Sequence, residues 1–486
     1  MMRKNRINRL TTHGVVLSIL SGALLGVATT AMVSWLAWVC LVPFLFAVRD
    51  AKKPVAQVCW AGLGYGLVMS FWVAGAALRY TGDRWGVALL CHGVAVGIMA
   101  AKMGVLLMLF VPVRRRPVGV QLLFWPVAAT LAEMGMYHLL EGFPWFQYPV
   151  GFSQATNLYV SQLAAVGGIF LLSCAVLVLN VVCAQGIKRR SFGWAFSFVL
   201  LLAMLHGGGA LAVRRVEGLR TDGFRVALVN DNSSFGLRWT RERVDEYAQR
   251  LLGLAASIEE RGQCLTIWNE GVVPWSYRPD DDLIRAILGA TKTSDDTQHL
   301  IGMTTADKGH TYNSAYLFTG KGQVKGRYDK QNLLKGIEMP VSGIELPFFE
   351  ASPFEEPAEC HRGILAAGRA RIGVLICNES STNRVAASFA RTPYDFLVVL
   401  ANNNWFTGTP LIRHHFYFNR LLAIRNRKDL VVNNNLGMSG HISASGVIVC
   451  KRKADTPYVV YCDVKRIGAR ADGFSRPQAT EEEESL

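Results

Sequence analysis

A carboxylate, an ammonium and a thiol follow separate apolar segments in the second half of the chain. Glu270 and Cys377 each come just after a strand-like run, and Lys330 follows a predicted hairpin with its turn at 320–322. A cysteine attacks as its thiolate, which a nearby cation stabilises. A carboxylate can take the thiol proton and return it to a leaving group, and an ammonium can stabilise an oxyanion. These residue types predict thiol-based acyl chemistry, with Cys377 as nucleophile, Glu270 as general base and Lys330 as oxyanion stabiliser.

The elements that must position these side chains alternate between strands and helices. Strand-like runs occur at 224–230, 264–268, 299–303, 313–318, 371–377, 396–401 and 429–433. Helical spacing predicts helices over 241–261, capped by Thr240, and over 411–428, opened by Pro410. This alternation is typical of an α/β layered fold in which both sheet faces are covered. Ligands bind at the carboxyl ends of strands in such folds, where Glu270 and Cys377 are placed.

The first half of the chain has the composition of a membrane domain. The chain has 486 residues, of which 51% are hydrophobic, and the long apolar segments all precede residue 214. Most of them reach or approach the roughly 20 residues that cross a bilayer. The seven segments are 14–31, 33–48, 54–79, 85–112, 118–140, 158–184 and 191–213. We therefore predict a helical membrane bundle over 1–213, a catalytic domain over 214–470 and an acidic, disordered tail over 471–486.

The charges between these segments predict how the bundle is oriented. Basic residues precede the first segment and follow the second, fourth and sixth, and the alternate loops are poorer in charge. The positive-inside rule places the basic loops in the cytoplasm, so seven spans leave the catalytic domain outside it. Because this rule accounts for much of the net charge of +15, nucleic-acid binding is not expected. None of the ten cysteines forms a CxxC pair, so no zinc site is predicted.

The second half resembles the nitrilase (carbon-nitrogen hydrolase) superfamily. Residues 268–270 are similar to its Trp-Pro-Glu motif, 326–330 to its Arg-Tyr-Asp-Lys segment, and 376–379 to its Cys-Tyr-Glu nucleophile motif. The resemblance implies an α-β-β-α sandwich in which Glu270, Lys330 and Cys377 form the catalytic triad. It also implies supporting roles for two further carboxylates, Glu338 and Glu379.

The whole chain resembles one membrane-bound family of that superfamily, the apolipoprotein N-acyltransferases. Seven spans and the Gly-Phe-Pro-Trp loop at 142–145 are the features that soluble nitrilases lack. The resemblance implies a multi-pass protein of the bacterial inner membrane with a periplasmic catalytic domain and no cofactor or metal. The implied acyl donor is a membrane phospholipid, and the implied acceptor is a diacylated apolipoprotein. Candidate contacts to lipid are Phe143, Trp145, Trp239 and Trp405.

Departures from the family motifs leave two alternatives open. Asn269 stands where the general-base motif has proline, and Asn378 where the nucleophile motif has an aromatic residue. The first alternative is a membrane-tethered amidase or hydrolase of the same superfamily, with water or another amine as the acceptor. The second is a non-catalytic relative that binds lipid or lipoprotein. Lipid-dependent acylation of Cys377 separates the acyltransferase from both.

Overall fold

The structure, a computed structural model, divides into a helical half and a two-sheet half. It describes residues 2–233, 241–341, 343, 354–358, 363–382, 385, 389, 393–453 and 455–467. The last helix of the first half ends at Gly218, and the first strand of the second half begins at Arg220. The predicted tail at 471–486 and the predicted cap Thr240 lie outside the described residues.

The apolar segments of the first half form helices. In hydrocarbon only a helix satisfies every backbone donor and acceptor within one segment. The helices are α1 (Met2–Thr30), α2 (Val42–Arg49), α3 (Pro54–Ser70), α4 (Val73–Thr81), α5 (Trp85–Met108), α6 (Val118–Leu139), α7 (Ala164–Arg189) and α8 (Phe192–Gly218). Within the described part of the chain, five helices are long and apolar enough to span a membrane. The pair α3 and α4, bent by 46°, makes up to six.

The second predicted segment, 33–48, is shorter in the structure than a full span. It consists of a 3-10 turn at Leu36–Trp38 followed by α2, and at 1.5 Å per residue it covers roughly 20 Å of a hydrocarbon layer about 30 Å thick. The segment packs back against α1, where the Ser21 hydroxyl donates to the Cys40 carbonyl at 2.6 Å. Hydropathy detected the segment, which packs back along α1 and ends at Arg49.

The two ends of the bundle carry different loops. At one end, Arg115 donates to the carbonyl of Arg49 at 3.3 Å, so the basic loops after the second and fourth segments lie together. At the other end, Arg413 of the two-sheet half donates to the carbonyl of Ala31 at 3.2 Å. The two-sheet half therefore contacts the end of the bundle opposite the basic loops.

Thirteen described strands form two sheets in the second half. The strands are β1 (Arg220–Asn230), β2 (Leu265–Trp268), β3 (Val273–Ser276), β4 (Gln298–Asp307), β5 (His310–Thr319), β6 (Val324–Asp329), β7 (Ile364–Ala367), β8 (Ala370–Ile376), β9 (Phe396–Asn402), β10 (Leu430–Asn435), β11 (Met438–Ile442), β12 (Ile448–Lys453) and β13 (Tyr458–Ile467). The first sheet has the order β13-β1-β2-β4-β5-β6, with β3 beside β4, and the second has the order β12-β11-β10-β9-β8-β7.

Helices cover the outer faces of both sheets. Helices α9 (Arg241–Ala256) and α10 (Asp282–Ala290) pack on the first sheet, and α11 (Leu411–Asn426) packs on the second. Buried apolar side chains from both sheets, such as Val226, Ile267, Val374 and Val398, fill the space between them. These layers confirm the predicted α-β-β-α sandwich, and all seven predicted strands are present.

A buried carboxylate, Asp429, joins the membrane half to both sheets. It accepts hydrogen bonds from the Arg220 guanidinium at 2.8 Å and from the His441 ring at 2.7 Å. It also accepts from the backbone of Lys465 in β13 at 3.0 Å. Arg220 in turn pairs with Glu217, in the last turn of α8, at 2.7 Å. Because its partners come from several elements, Asp429 connects the end of the bundle to the sandwich.

We expect Asp429→Asn to destabilise the protein by about 2–4 kcal/mol, since it leaves the Arg220 guanidinium without its buried carboxylate. The matched control is Asp463→Asn, which breaks an ion pair with Arg225 whose side chains are 64% and 45% exposed. Exposed pairs contribute about 1 kcal/mol or less. Thermal unfolding in one detergent measures both variants, and equal melting temperatures for the two would contradict this role of Asp429.

Candidate active site

Cys377 occupies a sharp turn at the carboxyl end of β8. The parallel neighbour β9 and the edge strand β7 flank β8, and a short 3-10 helix, Cys377–Ser381, follows it. Cys377 has a φ of 54°, a left-handed conformation that is uncommon for residues other than glycine. The turn puts the nucleophile at the end of the sheet, as the sequence predicted, and only 6% of the residue is exposed.

Lys330 lies between two carboxylates just after β6. Its ammonium is 3.3 Å from Glu270 Oε1 and 2.8 Å from Glu338 Oε1. The Lys330 side chain is fully buried, and each glutamate side chain is 9% exposed. A buried charge is tolerated when it is paired and hydrogen-bonded. The structure thus brings together three residues that the sequence predicted separately.

Asn313, in the middle of the site, was missed as a site residue by sequence reasoning. Its side-chain amide donates to Glu270 Oε1 at 2.8 Å and to Glu338 Oε1 at 3.1 Å, while its carbonyl accepts from the Lys330 backbone at 2.8 Å. An asparagine in a strand carries no distinctive signal by itself. Its position in β5, paired with β6, is what makes it the common donor to both carboxylates.

Glu379 ties the strand that leads to Lys330 to the strand that ends at Cys377. Its carboxylate accepts from the Tyr328 hydroxyl at 2.9 Å and from the Gln331 backbone at 2.6 Å. It also accepts from the Ile376 backbone at 2.7 Å. Burial raises the pKa of Glu379 to about 7, although these hydrogen bonds oppose the shift. Glu379 therefore holds the ends of β6 and β8 through hydrogen bonds to Tyr328, Gln331 and Ile376.

Burial and neighbouring charges determine which groups of the site are protonated. Burial and the Glu270 carboxylate raise the pKa of the Cys377 thiol, and Lys330 opposes that shift. Burial also raises the pKa of Glu270, against the charge of Lys330. Burial alone would lower the pKa of Lys330, but the charges of Glu270 and Glu338 outweigh it and raise that pKa. The resting site thus holds an ammonium beside a protonated thiol, and Glu270, whose pKa is raised, is the carboxylate suited to accept the thiol proton.

His415 is a second neighbour of the nucleophile that sequence reasoning missed. Its Nε2 lies 3.1 Å from the carbonyl oxygen of Cys377. Burial lowers the pKa of His415 to about 4, so the imidazole is neutral and can donate to that carbonyl. His415 lies on α11, whose apolar pattern indicated a helix but did not distinguish this histidine from a core residue.

The predicted aromatic loop of the membrane half contacts the loop that carries Glu338. The Trp145 ring lies 6.0 Å from the Phe406 ring, and the Lys335 ammonium lies 5.8 Å from the Phe143 ring centre. The Lys335 backbone donates to the Gly142 carbonyl at 3.0 Å. Since Lys335 lies between Lys330 and Glu338 in the chain, the membrane half contacts the active-site loop directly.

All four predicted lipid contacts stay predictions. Trp239 lies outside the described residues, and the side chain of Trp405 is likewise not described, although its backbone lies in the 3-10 helix Asn404–Phe406. Among the described residues, no group of three or more His, Cys, Asp or Glu side chains is arranged to hold a metal ion.

Both halves of the chain match models of known families. Residues 225–472 match the model of carbon-nitrogen hydrolases. The chain belongs to the carbon-nitrogen hydrolase family. Residues 21–182 match the model of the apolipoprotein N-acyltransferase N-terminal domain. The resemblance inferred from the motifs is therefore confirmed for both halves.

Curated relatives are similar along most of the chain. The apolipoprotein N-acyltransferase of Geobacter metallireducens is 27% identical over 457 residues, which cover 89% of this chain and 86% of the relative. That of Rhizobium leguminosarum is 26% identical, with 86% of this chain and 81% of the relative covered. That of Haemophilus influenzae is 23% identical, with coverage of 90% and 86%.

The site geometry predicts that Glu270→Gln separates thiol reactivity from catalysis. Removing the carboxylate charge lowers the pKa of Cys377, because Glu270 is one of the causes that raise it. We expect Cys377 to react with iodoacetamide severalfold faster at pH 7.5, because a lower pKa leaves more thiolate, while acyl chemistry is lost with the base. Peptide mass spectrometry measures the alkylation rate. The matched control is Glu259→Gln, because the Glu259 side chain lies on the surface, and this substitution should leave both properties unchanged. Slower alkylation of Cys377 in Glu270→Gln would contradict the electrostatic account.

Proposed function

We propose that the protein is an N-acyltransferase of lipoprotein biosynthesis. It moves a fatty acyl chain from a membrane phospholipid, through a thioester on Cys377, to the N-terminal diacylglyceryl-cysteine of an apolipoprotein. The observation that carries the proposal is the contact between Gly142 and Lys335. This contact joins a membrane-edge aromatic loop to the loop between Lys330 and Glu338. The names of the curated relatives support the same activity.

In the first half-reaction, Glu270 accepts the proton of the Cys377 thiol as the sulfur attacks the ester carbonyl. The negative charge that develops on the carbonyl oxygen is stabilised by the Lys330 ammonium. When the tetrahedral intermediate collapses, the ester C–O bond breaks and Glu270 returns the proton to the departing alkoxide. The products are a lysophospholipid and an acyl thioester on Cys377.

In the second half-reaction, the α-amine of the lipoprotein cysteine attacks the thioester carbonyl. Lys330 again stabilises the oxyanion, and Glu270 takes the proton that the amine loses. Collapse forms the amide and breaks the C–S bond, and the departing sulfur recovers the proton from Glu270. Glu270 thus carries one proton in each direction, which requires a carboxylate whose pKa is raised toward neutrality.

The supporting residues act on these groups. Glu338 holds the Lys330 ammonium together with Glu270, and Glu379 holds the ends of the strands that lead to Lys330 and Cys377. We propose that Phe143 and Trp145 contact acyl chains at the membrane edge and that Trp239 and Trp405 have the same role. None of these roles requires a cofactor.

We also propose that the protein resides in the bacterial inner membrane with its catalytic domain in the periplasm. The basic loops lie at one end of the bundle, and the sandwich contacts the opposite end. The positive-inside rule assigns the basic end to the cytoplasm. This places Cys377 on the side where lipoproteins are displayed after export.

The amidase or hydrolase alternative is not favoured. The curated relatives that match along most of the chain are named apolipoprotein N-acyltransferases, and an N-terminal domain of that family precedes the hydrolase-like fold. The Glu270, Lys330 and Cys377 side chains are all present, which also counts against a non-catalytic binding protein.

The transferase predicts that release of lysophospholipid depends on the acceptor. With a defined phospholipid alone, we expect a burst of about one lysophospholipid per enzyme, followed by continuous turnover only when a diacylglyceryl-cysteine peptide is added. The control is the same peptide acetylated on its α-amine, with which we expect the burst but no continuous turnover. Lys330→Met should slow the burst by about a thousandfold or more. Continuous release of lysophospholipid and free fatty acid without any acceptor would identify a hydrolase instead.

A further inference from the structure

Two cysteines outside the active site face each other between the two sheets. The sulfur atoms of Cys450 and Cys462 are 3.1 Å apart. Cys450 lies in β12 of the second sheet, opposite His441 of β11. Cys462 lies in β13 of the first sheet, opposite Val226 of β1. The pair therefore bridges the sandwich, and forming a bond of about 2.05 Å requires the sulfurs to approach by only about 1 Å.

The surroundings of the two thiols differ in a way that suits stepwise oxidation. Cys462 is buried, with 5% of its surface exposed, and Cys450 is half-buried. The hydrogen bond between them lowers the pKa of Cys450 and raises that of Cys462. Cys450 is thus the thiolate that an external disulfide meets first, and Cys462 is the thiol that completes the exchange.

Among the described cysteines of the two-sheet half, Cys264 has no cysteine facing it in this way. Its sulfur lies 3.5 Å from the carbonyl oxygen of Arg225, and burial raises the pKa of its thiol. It therefore serves as the matched control for any experiment on the facing pair.

We propose that Cys450 and Cys462 form a disulfide in the cell and that this bond links the two sheets of the catalytic domain. The proposal rests on the periplasmic placement of that domain, because disulfides persist in oxidising compartments. It assigns to the pair a structural modification that the acyl-transfer chemistry does not require.

The bond forms by two exchanges with a disulfide oxidant, such as a periplasmic thiol oxidase or oxidised glutathione. The Cys450 thiolate attacks one sulfur of the oxidant and displaces the other as a thiolate. The product is a mixed disulfide between Cys450 and the oxidant. Cys462, having lost its proton to solvent, then attacks Cys450 sulfur and displaces the remaining oxidant thiolate. The two cysteines lose two electrons, the oxidant is reduced to a dithiol, and the protons lost by the cysteines balance those that the dithiol gains.

The bond would hold the two sheets, which carry the proposed catalytic groups, in a fixed position relative to each other. Glu270 follows β2 and Lys330 follows β6 in the first sheet, whereas Cys377 follows β8 in the second. A covalent link between β12 and β13 limits how far the sheets can separate in partly unfolded states, and it closes a short loop in the unfolded chain.

The test is differential thiol labelling of the full chain in cells. Cells are quenched in acid, free thiols are blocked with N-ethylmaleimide, and the protein is then reduced and treated with iodoacetamide. We expect peptides with Cys450 and Cys462 to carry the second label and the peptide with Cys264 to carry the first. Without reduction, the two cysteines should appear in one cross-linked species 2 Da lighter than the paired thiols, since two hydrogens are lost.

Two cysteine variants and a parallel acylation assay separate the disulfide from the proposed function. Cys450→Ser should leave Cys462 free, whereas Cys264→Ser should leave the disulfide intact. Reduction should lower the melting temperature of the wild type by about 5–10 °C and leave that of Cys450→Ser unchanged. Acylation of Cys377, measured on the same preparations, reports the proposed function independently of the disulfide.

Two results would overturn the proposal. If the thiols are free in cells but oxidised glutathione joins them in the purified protein, the error lies in the proposed compartment. If they stay free under both conditions, the pair does not approach closely enough to react. In either case, intact acylation of Cys377 would leave the acyltransferase standing, and its loss would count against that function separately.

Discussion

The active site depends on the burial of one ammonium group, that of Lys330. A fully buried cation is tolerated only with charged partners and hydrogen bonds, and here the partners come from different parts of the chain. Glu270 follows β2, Glu338 follows a loop after β6, and Asn313 of β5 donates to both carboxylates. The same charges that hold the ammonium raise the pKa of the Cys377 thiol. Cys377, Glu270 and Lys330 are therefore parts of one electrostatic unit.

Two other buried carboxylates extend this unit to the rest of the molecule. Glu379 fixes the ends of β6 and β8 relative to each other, and Asp429 joins the sandwich to the last turn of α8 through Arg220. The loop between Lys330 and Glu338 contacts the membrane half at Gly142. The aromatic loop of the membrane half is therefore one hydrogen bond away from the segment that joins Lys330 to Glu338.

The sequence predicted the elements with strong apolar patterns and the groups placed at their ends. The seven predicted strands and the positions of Glu270, Lys330 and Cys377 follow from runs that are buried in the sandwich. The missed strands include two short ones, β3 and β7, the exposed and basic β12, and the longer β13, whose residues are mostly partly buried or exposed. Asn313 and His415 were missed because their roles depend on the pairing of β5 with β6 and on the packing of α11 against the 3-10 helix that follows β8. The shortness of segment 33–48 was visible in the sequence, but its packing along α1 was not. Spacing likewise could not show that Cys450 faces Cys462, because such neighbours depend on tertiary contacts.

The most direct test of the central claim is intact-mass spectrometry of the purified protein incubated with a phospholipid of defined acyl chains. The account predicts one added fatty-acyl mass that hydroxylamine removes, located on Cys377 and absent from Cys377→Ala. No such adduct on folded wild-type protein, or an equal adduct on Cys377→Ala, would contradict the claim that Cys377 carries the acyl chain.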